Sequence, residues 1–354
     1  MDVGILTTHL FLDVAEAEQE RRDEIARKSL KEGKRPPSYE SEPQDRIIYG
    51  GAERYLVELC RLLKDMGHKV TIYQGGAKRN VIHKEYRGFR VVCLPAESND
   101  GIYYTCSQLN RMFNEMAIYH DLSIYFAPFL CWPAVKHPAI AISHGIYWDT
   151  PEHPVRQMNE IERKEFFRRL VYCHTACPMV AVDTNVRNFI AAFEPGMEQN
   201  IHVIPNFVDT EVFKPMPRMG SKIQVLFPRR LTRVRGVNEF IELTRHFPDV
   251  EFIICGNGIT TDLEASVLEW AREMPNIKVI WQEMDDMASV YQEADIAIVP
   301  TRAAEGTSLS LIEAMACGLP VITTPAGGLA NLVIDGYNGF VVDLNNNFPR
   351  SLKD

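Results

Sequence analysis

Residues 296–323 read IAIVPTRAAEGTSLSLIEAMACGLPVIT. The apolar run at 296–300 predicts a strand, and a turn of small and polar residues follows it. An apolar helical segment then starts near Ser308, and the run at 320–323 predicts a second strand. A strand, a helix and a further strand in this order are typical of a parallel sheet with crossover helices. The stretch therefore predicts an α/β fold.

The same alternation of strand-like and helix-like runs extends along the rest of the chain. The helix that follows Gly50 and Gly51 is the clearest, because its apolar residues recur at spacings of three and four and Gly67 is placed to end it. The other predicted strands lie at 3–8, 70–73, 90–94, 122–127, 139–143 and 179–183 in the first half, and at 223–227, 251–255 and 278–281 in the second. Two sets of strands predict two sheets.

The length of 354 residues exceeds the usual size of a single hydrophobic core, so two domains are expected. Residues 206–221, between the two sets of strands, are rich in proline and lack hydrophobic periodicity. We therefore place an N-terminal domain at 1–206 and a C-terminal domain at 207–354.

A highly charged segment, 13–46, interrupts the turn between the first predicted strand and the first predicted helix. Its first part is consistent with a solvated helix that carries Glu and Arg pairs, and 33–45 with a loop. The segment is either a surface insertion or a lid, since the interrupted turn lies at the carboxyl edge of the sheet, where ligands bind in such folds.

The composition limits the class of protein and its compartment. Of all residues, 46% are hydrophobic and 24% are charged, which is typical of a globular chain, and the net charge of -9 argues against a general nucleic-acid binder. Neither a signal peptide nor a membrane-spanning run is recognisable. The eight cysteines indicate buried thiols in a reducing cytoplasm. Cys173, His174 and Cys177 resemble half a metal site, but no second pair of matching spacing accompanies them.

Cations and glycines follow several strands of the second half. In a doubly wound sheet the ligand lies beyond the carboxyl ends of the strands, so these turns are where chemistry is expected. The strand at 223–227 is followed by Arg229, Arg230, Arg233 and Arg235, and turns that contain glycine follow other strands at 256–258, 301–308 and 325–328. Cations, glycines and a helix N-terminus on one rim suit a phosphate-bearing ligand.

The segment 305–322, EGTSLSLIEAMACGLPVI, closely resembles the signature of family-4 retaining glycosyltransferases, in which seven residues separate two glutamates. Further matches run in family order over nearly the whole chain outside the charged insertion, at 50–53, 204–209, 230–231, 235–236, 256–258, 294–295 and 336–339. The resemblance implies the GT-B fold, an α/β architecture in which two Rossmann-like doubly wound domains face each other across a cleft.

The resemblance also implies a function. It predicts a retaining glycosyltransferase that moves a sugar from a nucleotide-diphosphate sugar to a hydroxyl of a glycan, a lipid-linked acceptor or a small molecule. The expected location is the cytoplasm, with a peripheral site at the inner face of the membrane as an option, and nucleic acid is not an expected partner. No metal or other cofactor is expected, because no Asp-x-Asp element lies in a suitable strand-end turn and arginines replace the cation. Asp285 and Asp286 are adjacent but precede a helix, where acidic residues commonly cap.

Each site residue takes a role from the resemblance. The expected catalytic set consists of Arg230 and Arg235 on the donor diphosphate, Glu305 on hydroxyls of the donor sugar, and His144 facing the transferred sugar. Glu313 is expected to accept hydrogen bonds from the ribose hydroxyls. The remaining donor-binding residues are expected either to let the backbone come close to the donor or to donate backbone amide groups to its phosphates. They are Gly50, Gly51, Gly256, Gly258, Gly306, Thr307, Ser308 and Leu309.

Three features depart from the family pattern. Arg235 stands where most relatives carry lysine. Trp281 falls near a position that is usually glycine, close to the expected nucleotide base, where it either stacks on the base or packs. Relatives usually continue beyond Phe340 with further helices, so a truncated product, a fragment or a shortened member is expected.

The segment 163–172, RKEFFRRLVY, mixes cations with aromatic residues. It is consistent with contact to an anionic membrane that carries a lipid-linked acceptor. The alternative is an ordinary helix with Phe166, Phe167 and Leu170 inward and the cations solvated, which predicts weak membrane association at most.

Two other functions fit the same residues. One is a nucleotide-sugar epimerase on the same fold, which uses no acceptor. The other is a catalytically inactive nucleotide-sugar-binding module. A nicotinamide dehydrogenase is disfavoured, because no Gly-x-Gly-x-x-Gly follows the first predicted strand.

Overall fold

The computed structural model of the chain describes residues 1–8, 10–31, 45–47, 50–96, 101, 105–148, 150, 153–217, 220, 222–256, 261–280, 282, 286–303 and 305–344. Trp281, Gly258, Asp285 and most of the predicted loop at 33–45 lie outside these residues. The predicted α/β class is confirmed, since the two halves of the chain each build a mainly parallel sheet.

The elements of the first half, in chain order, are β1 (Asp2–Leu6), β2 (Phe11–Asp13), α1 (Ala15–Lys31), β3 (Arg46–Ile47), α2 (Gly51–Asp65), β4 (Lys69–Gln74), β5 (Ile82–Tyr86), β6 (Phe89–Cys93), α3 (Ser107–Met116), β7 (Leu122–Tyr125), β8 (Ala139–Ser143), α4 (Glu160–Thr175), β9 (Met179–Ala181), α5 (Thr184–Phe193) and β10 (Ile201–Val203). The predicted strands of this half are confirmed. Four of the described strands in this half escaped prediction: the hairpin strand β5, the short strands β2 and β10, and the two-residue strand β3.

The first sheet has the strand order β10-β9-β8-β7-β1-β4-β6-β5 within the described residues. Strand β1 pairs in parallel with β4 on one side and with β7 on the other. The edge strand β5 is antiparallel to β6. The chain therefore winds outwards from β1 in both directions, as in a doubly wound sheet.

The elements of the second half, in chain order, are β11 (Gln224–Phe227), α6 (Val237–Thr244), β12 (Glu251–Cys255), α7 (Thr261–Glu273), β13 (Ile277–Ile280), α8 (Met287–Gln292), β14 (Ile296–Val299), α9 (Leu309–Ala316), β15 (Val321–Thr323) and β16 (Phe340–Val341). Their sheet has the order β13-β12-β11-β14-β15-β16 within the described residues, and its pairs are parallel. Counted from β11, this is the strand order 3-2-1-4-5-6 of a Rossmann sheet.

Helices cover both faces of the second sheet. Leu226 and Ile253 belong to one hydrophobic cluster with Leu311 of α9, whereas Phe227 and Ile254 belong to another with Phe240 of α6. Successive residues of a strand point to opposite faces, so both sets of side chains are buried only because helices lie on both sides. This explains why the strands read as continuous apolar runs in the sequence.

The charged insertion begins with a helix, as predicted. Helix α1 carries ion pairs within one turn, from Glu18 to Arg21 and Arg22. It is tied to the rest of the first half by Lys78 with Glu24 and by Lys84 with Glu16. No helix within the described ranges is long and apolar enough to cross a membrane.

The chain divides into two compact units whose segments are discontinuous in sequence. The first unit comprises Met1–Ser143, Gln157–Val180 and Phe189–His202, and the second comprises His144–Arg156, Ala181–Asn188 and Val203–Asp354. Two segments of the first half thus pack with the second sheet. The domain limits at 1–206 and 207–354 stay a prediction.

Candidate functional site

The order of strands in the second sheet fixes where its ligand site is expected. The chain moves outwards from β11 to β12 and β13, and then returns to β14 on the other side of β11. The turns after β11 and β14 therefore lie next to each other at the carboxyl edge, where the winding reverses. The first turn carries the run of arginines, and the second carries Glu305.

Glu305 lies at the centre of this junction and is 8% exposed. Its Oε2 accepts hydrogen bonds from Arg229 Nη2 over 2.5 Å and from Thr301 Oγ1 over 3.0 Å, and it also accepts one from Arg235 Nη1. Burial by itself would raise the pKa of Glu305, but the charges of Arg229 and Arg235 outweigh it and hold the pKa below its usual value. Glu305 is therefore a buried, ionised carboxylate with two guanidinium partners.

Arg229 is the residue of this site that sequence reasoning did not select. It is buried, and its Nη1 donates to Ser308 Oγ over 2.8 Å while Nη2 is bound to Glu305. Its neighbour Arg230, which the resemblance selected, is half-buried, and Arg233 is exposed. A run of arginines in the sequence does not reveal which of them turns inward, because that depends on how the turn after β11 packs.

Glu313 lies on α9, one helical turn beyond the start of the helix, and is also buried. Its Oε2 accepts a hydrogen bond from the hydroxyl of Tyr291 on α8 over 2.8 Å. Tyr291 is fully buried and is the second site residue that sequence reasoning missed. A tyrosine in an apolar helical pattern gives no sign in the sequence that its hydroxyl meets a carboxylate.

Glycines allow the loops of this site to pack against one another. A Cβ on Gly327 would lie 2.1 Å from the carbonyl oxygen of Glu305, and one on Gly256 would lie 2.0 Å from that of Arg229. A Cβ on Gly306 would lie 2.6 Å from the carbonyl oxygen of His144. The backbone at His144 therefore packs next to Glu305 within the second unit.

A second segment of the first half reaches the same loop. The Oγ1 of Thr307 donates to the carbonyl oxygen of Val182 over 2.9 Å and accepts from the backbone N–H of Asn206 over 2.9 Å. Asp183, next in the chain, is fully buried, and burial raises the pKa of its carboxyl group, with the charge of Glu305 acting in the same direction. The loop 305–308 therefore contacts three separate segments, at His144, Val182 and Asn206.

The structure brings some of the predicted site residues together and leaves others apart. Arg235 binds Glu305 directly, and Arg229 links Glu305 to Ser308, so these residues form one hydrogen-bonded cluster; Gly306 and Thr307 lie in the same loop. Leu309 is the first residue of α9. Gly50 and Gly51 lie in the first unit at the start of α2, Gly256 directly follows β12 and packs against the backbone of Arg229, and Gly258 falls outside the described residues. Their roles with the donor stay predictions.

Among the described residues, no group of three His, Cys, Asp or Glu side chains is assembled to hold a metal ion. Cys173, His174 and Cys177 are buried instead. The pKa of His174 is lowered to about 4 by burial, and its Nδ1 lies 2.7 Å from the carbonyl oxygen of Leu170.

A groove of about 540 Å³ lies along α4 on the first unit. Its lining includes Arg163, Lys164 and Arg168 together with Phe167 and Phe193. In the predicted segment 163–172, Phe166 and Leu170 are buried, whereas Phe167 is only half-buried. An ordinary amphipathic helix accounts for this pattern, and the two half-exposed phenyl rings add an apolar surface beside the cations.

Two family models match the chain. The model for "Glycosyltransferase Family 4" matches residues 49–212, and the model for "Glycosyl transferases group 1" matches residues 209–349. A protein of Methanocaldococcus jannaschii named as an uncharacterized glycosyltransferase is 29% identical over 317 residues, which span 86% of this chain and 83% of that protein. The α-maltose-1-phosphate synthase of Mycobacterium tuberculosis is 27% identical over 185 residues, and the match spans 46% of this chain and 48%, about half, of that relative.

A solved structure shares the fold over the full length. The crystal structure of Anabaena HepE in complex with UDP and glucose superposes with a TM-score of 0.67 at 17% sequence identity, and the match covers 99% of this chain and 90% of that one. The two consecutive family models, the two Rossmann-like sheets and this neighbour agree with one another. The chain therefore belongs to the family-4 glycosyltransferases of group 1 and has the GT-B fold.

Proposed function

We propose that the chain is a retaining, metal-independent glycosyltransferase that takes its sugar from a nucleotide-diphosphate sugar. The acceptor would be a hydroxyl of a glycan, a lipid-linked molecule or a small molecule. The observation that carries the proposal is the position of Glu305 at the reversal of winding in the second sheet, bound to Arg229 and Arg235. A buried carboxylate surrounded by cations at this edge suits a ligand that has both hydroxyls and phosphates.

The cations at the rim support a diphosphate. The side chain of Arg235 is 30% exposed, against 5% for Arg229, so Arg235 is the one that can meet a ligand from solvent. Arg230 adds a second half-buried cation, and the amide end of α9 adds partial positive charge. The presence of UDP and glucose in the HepE structure supports a nucleotide-diphosphate sugar as the donor class.

The two glutamates support recognition of hydroxyl groups. An ionised carboxylate accepts hydrogen bonds with both of its oxygens, so it can hold a protein donor with one oxygen and a ligand hydroxyl with the other. Glu305 is proposed to bind hydroxyls of the donor sugar, and Glu313 is proposed to bind the ribose. His144 is proposed to face the transferred sugar, which the contact of its backbone with Gly306 supports.

In the proposed reaction, the acceptor hydroxyl attacks the anomeric carbon on the face from which the diphosphate leaves. The bond from the anomeric carbon to the phosphate oxygen breaks as the bond to the acceptor oxygen forms, and the departing phosphate takes the acceptor proton. Configuration at the anomeric carbon is retained. Arg230 and Arg235 offset the charge that develops on the leaving group, which is the task that a metal ion performs in other transferases.

A thermal-shift panel of UDP-, GDP-, ADP- and dTDP-sugars tests the donor class. A ligand that binds only the folded state raises the melting temperature, so one nucleotide class should stabilise the protein, with and without EDTA. Glu305→Gln should weaken the shift by the donor sugar, whereas Glu242→Gln, which removes an exposed carboxylate on α6, should leave it unchanged. A panel in which no nucleotide sugar shifts the protein would overturn the proposal.

Product analysis separates the alternatives. Incubation with the donor alone should leave the sugar configuration unchanged; an epimerised sugar would identify an epimerase. Incubation with donor and a hydroxyl acceptor should give a product with the anomeric configuration of the donor, which NMR measures directly. Donor binding without turnover of any acceptor or of water would identify an inactive binding module.

Membrane association is proposed to be weak at most. The cations Lys164 and Arg168 on α4 are engaged by Glu160 and Glu165, which reduces the charge offered to an anionic surface. Pelleting with vesicles of anionic lipid should recover only a small fraction of the protein. Strong, salt-sensitive recovery would instead favour a peripheral site for a lipid-linked acceptor.

A further inference from the structure

Arg229 is a buried cation that the proposed reaction does not use. Only 5% of its side chain is exposed. Its Nη2 donates to Oε2 of Glu305 over 2.5 Å, and its Nη1 donates to Oγ of Ser308 over 2.8 Å. A guanidinium can make both bonds at once because its donors form a rigid fork. Ser308 directly precedes α9, so Arg229 joins the loop of Glu305 to the helix that carries Glu313.

The backbone of Arg229 is fixed by its neighbours. Gly256 packs against it so closely that a Cβ there would lie 2.0 Å from the carbonyl oxygen of Arg229. The preceding carbonyl, that of Pro228, accepts a hydrogen bond from Ser310 Oγ over 2.7 Å. The position of the guanidinium is therefore set by the fold.

Arg235 is bound to the same carboxylate oxygen, but its surroundings differ. It ends a single turn of 3-10 helix, Arg233–Arg235, and 30% of its side chain is exposed. In the proposed function, Arg235 binds the donor diphosphate. The diphosphate and Glu305 then compete for the same guanidinium, and of its two arginine partners Glu305 keeps Arg229 when the donor is bound.

Several charged or titratable groups lie close enough to Glu305 to affect its ionisation or its surroundings. Arg229 and Arg235 come from the segment after β11, with Arg230 close enough to act on Arg235, and His144 packs its backbone against the adjacent Gly306. Asp183, before α5, is a second buried carboxyl group whose pKa the charge of Glu305 helps to raise. Because burial by itself would raise the pKa of Glu305, an ionised Glu305 needs a cation beside it throughout the reaction.

We propose that Arg229 is a positioning residue for Glu305, which stays bound to the carboxylate while Arg235 turns to the donor diphosphate. The inference rests on the proposed function. Arg229 touches neither the sugar nor the phosphates. It holds Oε2 of Glu305, so that the carboxylate stays ionised and presents its other oxygen to the sugar hydroxyls.

The test compares Arg229→Met, Arg229→Lys and, as a matched control, Arg233→Met, which removes an exposed cation from the same segment. The measurements are kcat and KM for the donor between pH 4 and 9, and the donor Kd. In Arg229→Met the acid limb of kcat, which reports the donor complex, should move upward by about one to three pH units, which is the usual effect of losing a close opposite charge. Arg229→Lys should keep the limb near its original position, and Arg233→Met should leave kcat, KM and the limb unchanged.

A double variant tests whether Arg229 acts through Glu305. In the Glu305→Gln background the side chain can no longer ionise, so Arg229→Met should reduce kcat by less than about twofold further, whereas it should reduce kcat at pH 5 by about tenfold in the native background. An unmoved acid limb in Arg229→Met, or losses that multiply in the double variant, would overturn the inference while the proposed function stands. A native enzyme that binds no nucleotide sugar would overturn both.

Folding of the variants is measured by circular dichroism. If Arg229→Met fails to fold, the double variant Arg229→Met, Glu305→Gln decides the question. Recovery of the fold in the double variant supports the inference, because it identifies the unpaired buried carboxylate as the fault. Failure of the double variant to fold would overturn it, because Arg229 would then serve the fold through contacts other than Glu305.

Discussion

Tyr291 donates its phenolic proton to Oε2 of Glu313 over 2.8 Å, and both side chains are buried. The bond joins α8 to α9 and fixes the rotation of the carboxylate about its last torsion. Burial raises the pKa of Tyr291 well above its ordinary value, and the charge of Glu313 acts in the same direction. Tyr291 therefore remains a hydrogen-bond donor at all physiological pH values, and Glu313 keeps one orientation.

Tyr291→Phe tests that orientation. The variant should raise the donor KM by about five- to tenfold with kcat nearly unchanged, because it loosens a group that binds donor and transition state alike. It should also lower the free energy of unfolding by about 1 kcal/mol, the usual net contribution of one hydrogen bond. Steady-state kinetics and urea unfolding measure both effects. Tyr337→Phe removes a hydroxyl from an 84% exposed ring and is the control, which should change neither quantity.

Arg235→Met should weaken a nucleoside diphosphate more than the monophosphate of the same base. A cation that binds the outer phosphate contributes little when that phosphate is absent. The Kd of the monophosphate divided by the Kd of the diphosphate should therefore fall by about tenfold in the variant. Arg235→Lys keeps the charge and should keep most of the ratio. Calorimetric titration measures it. Equal weakening of both nucleotides would show that Arg235 acts on the fold of the site and not on the diphosphate.

Removal of metal ions should leave the reaction unchanged. The guanidinium groups of Arg230 and Arg235 are proposed to carry the charge of the leaving group, so transfer rates should be the same in EDTA and in Mg²⁺ or Mn²⁺. Discontinuous assays on protein passed over a chelating resin measure this. A rate that vanishes in EDTA and returns with one divalent cation would contradict metal independence.

His174 should make the protein less stable in mild acid. Its pKa is lowered from 6.5 to about 4 by burial, so between these values the unfolded chain binds a proton that the native protein does not. Stability is therefore lost as the pH falls from about 6.5 to about 4, by on the order of 3 kcal/mol if this group acts alone. Urea unfolding of His174→Gln across this range should show a flatter profile than that of the native protein. Parallel profiles would show that His174 does not titrate as its burial predicts.

Gly327 and Gly196 form a matched pair for testing how tightly the site is packed. Both have positive φ, +54° and +96°, but a Cβ on Gly327 would lie 2.1 Å from the carbonyl oxygen of Glu305, whereas a Cβ on Gly196 would meet nothing within 4 Å. Gly196→Ala should destabilise the protein by about 1 kcal/mol, the ordinary strain of a left-handed residue. Gly327→Ala should destabilise it by more than about 3 kcal/mol and abolish transfer, because Glu305 must move. Similar losses of stability in both variants would mean that the loop of Glu305 can shift to accommodate the added methyl group at little cost.

Much of the fold was predictable because its strands are buried on both faces. The runs that become β11, β12 and β14 are mostly continuous and apolar. Such a run can be recognised as a buried strand even when the strands that pair with it are not known. The antiparallel strand β5 was missed because its half-exposed residues, IHKEY, lack an apolar run. The positions of Glu305 in a loop and of Glu313 on the helix that follows were predictable too, because both depend on local sequence.

Short-range patterns in the sequence encode the α/β class, the two sheets, and the rim that carries glutamates, glycines and arginines, so these features were predictable from those patterns alone. Three features became visible in the folded chain: Arg229 is the arginine buried against Glu305, Tyr291 donates to Glu313, and the segments at His144 and Asp183 pack beside the loop of Glu305. The orientation of a side chain toward a buried partner depends on packing between segments that are distant in the chain. Tyr291 and Glu313 are 22 residues apart, and Arg229 and Glu305 are 76 residues apart. No local pattern in the chain carries that information.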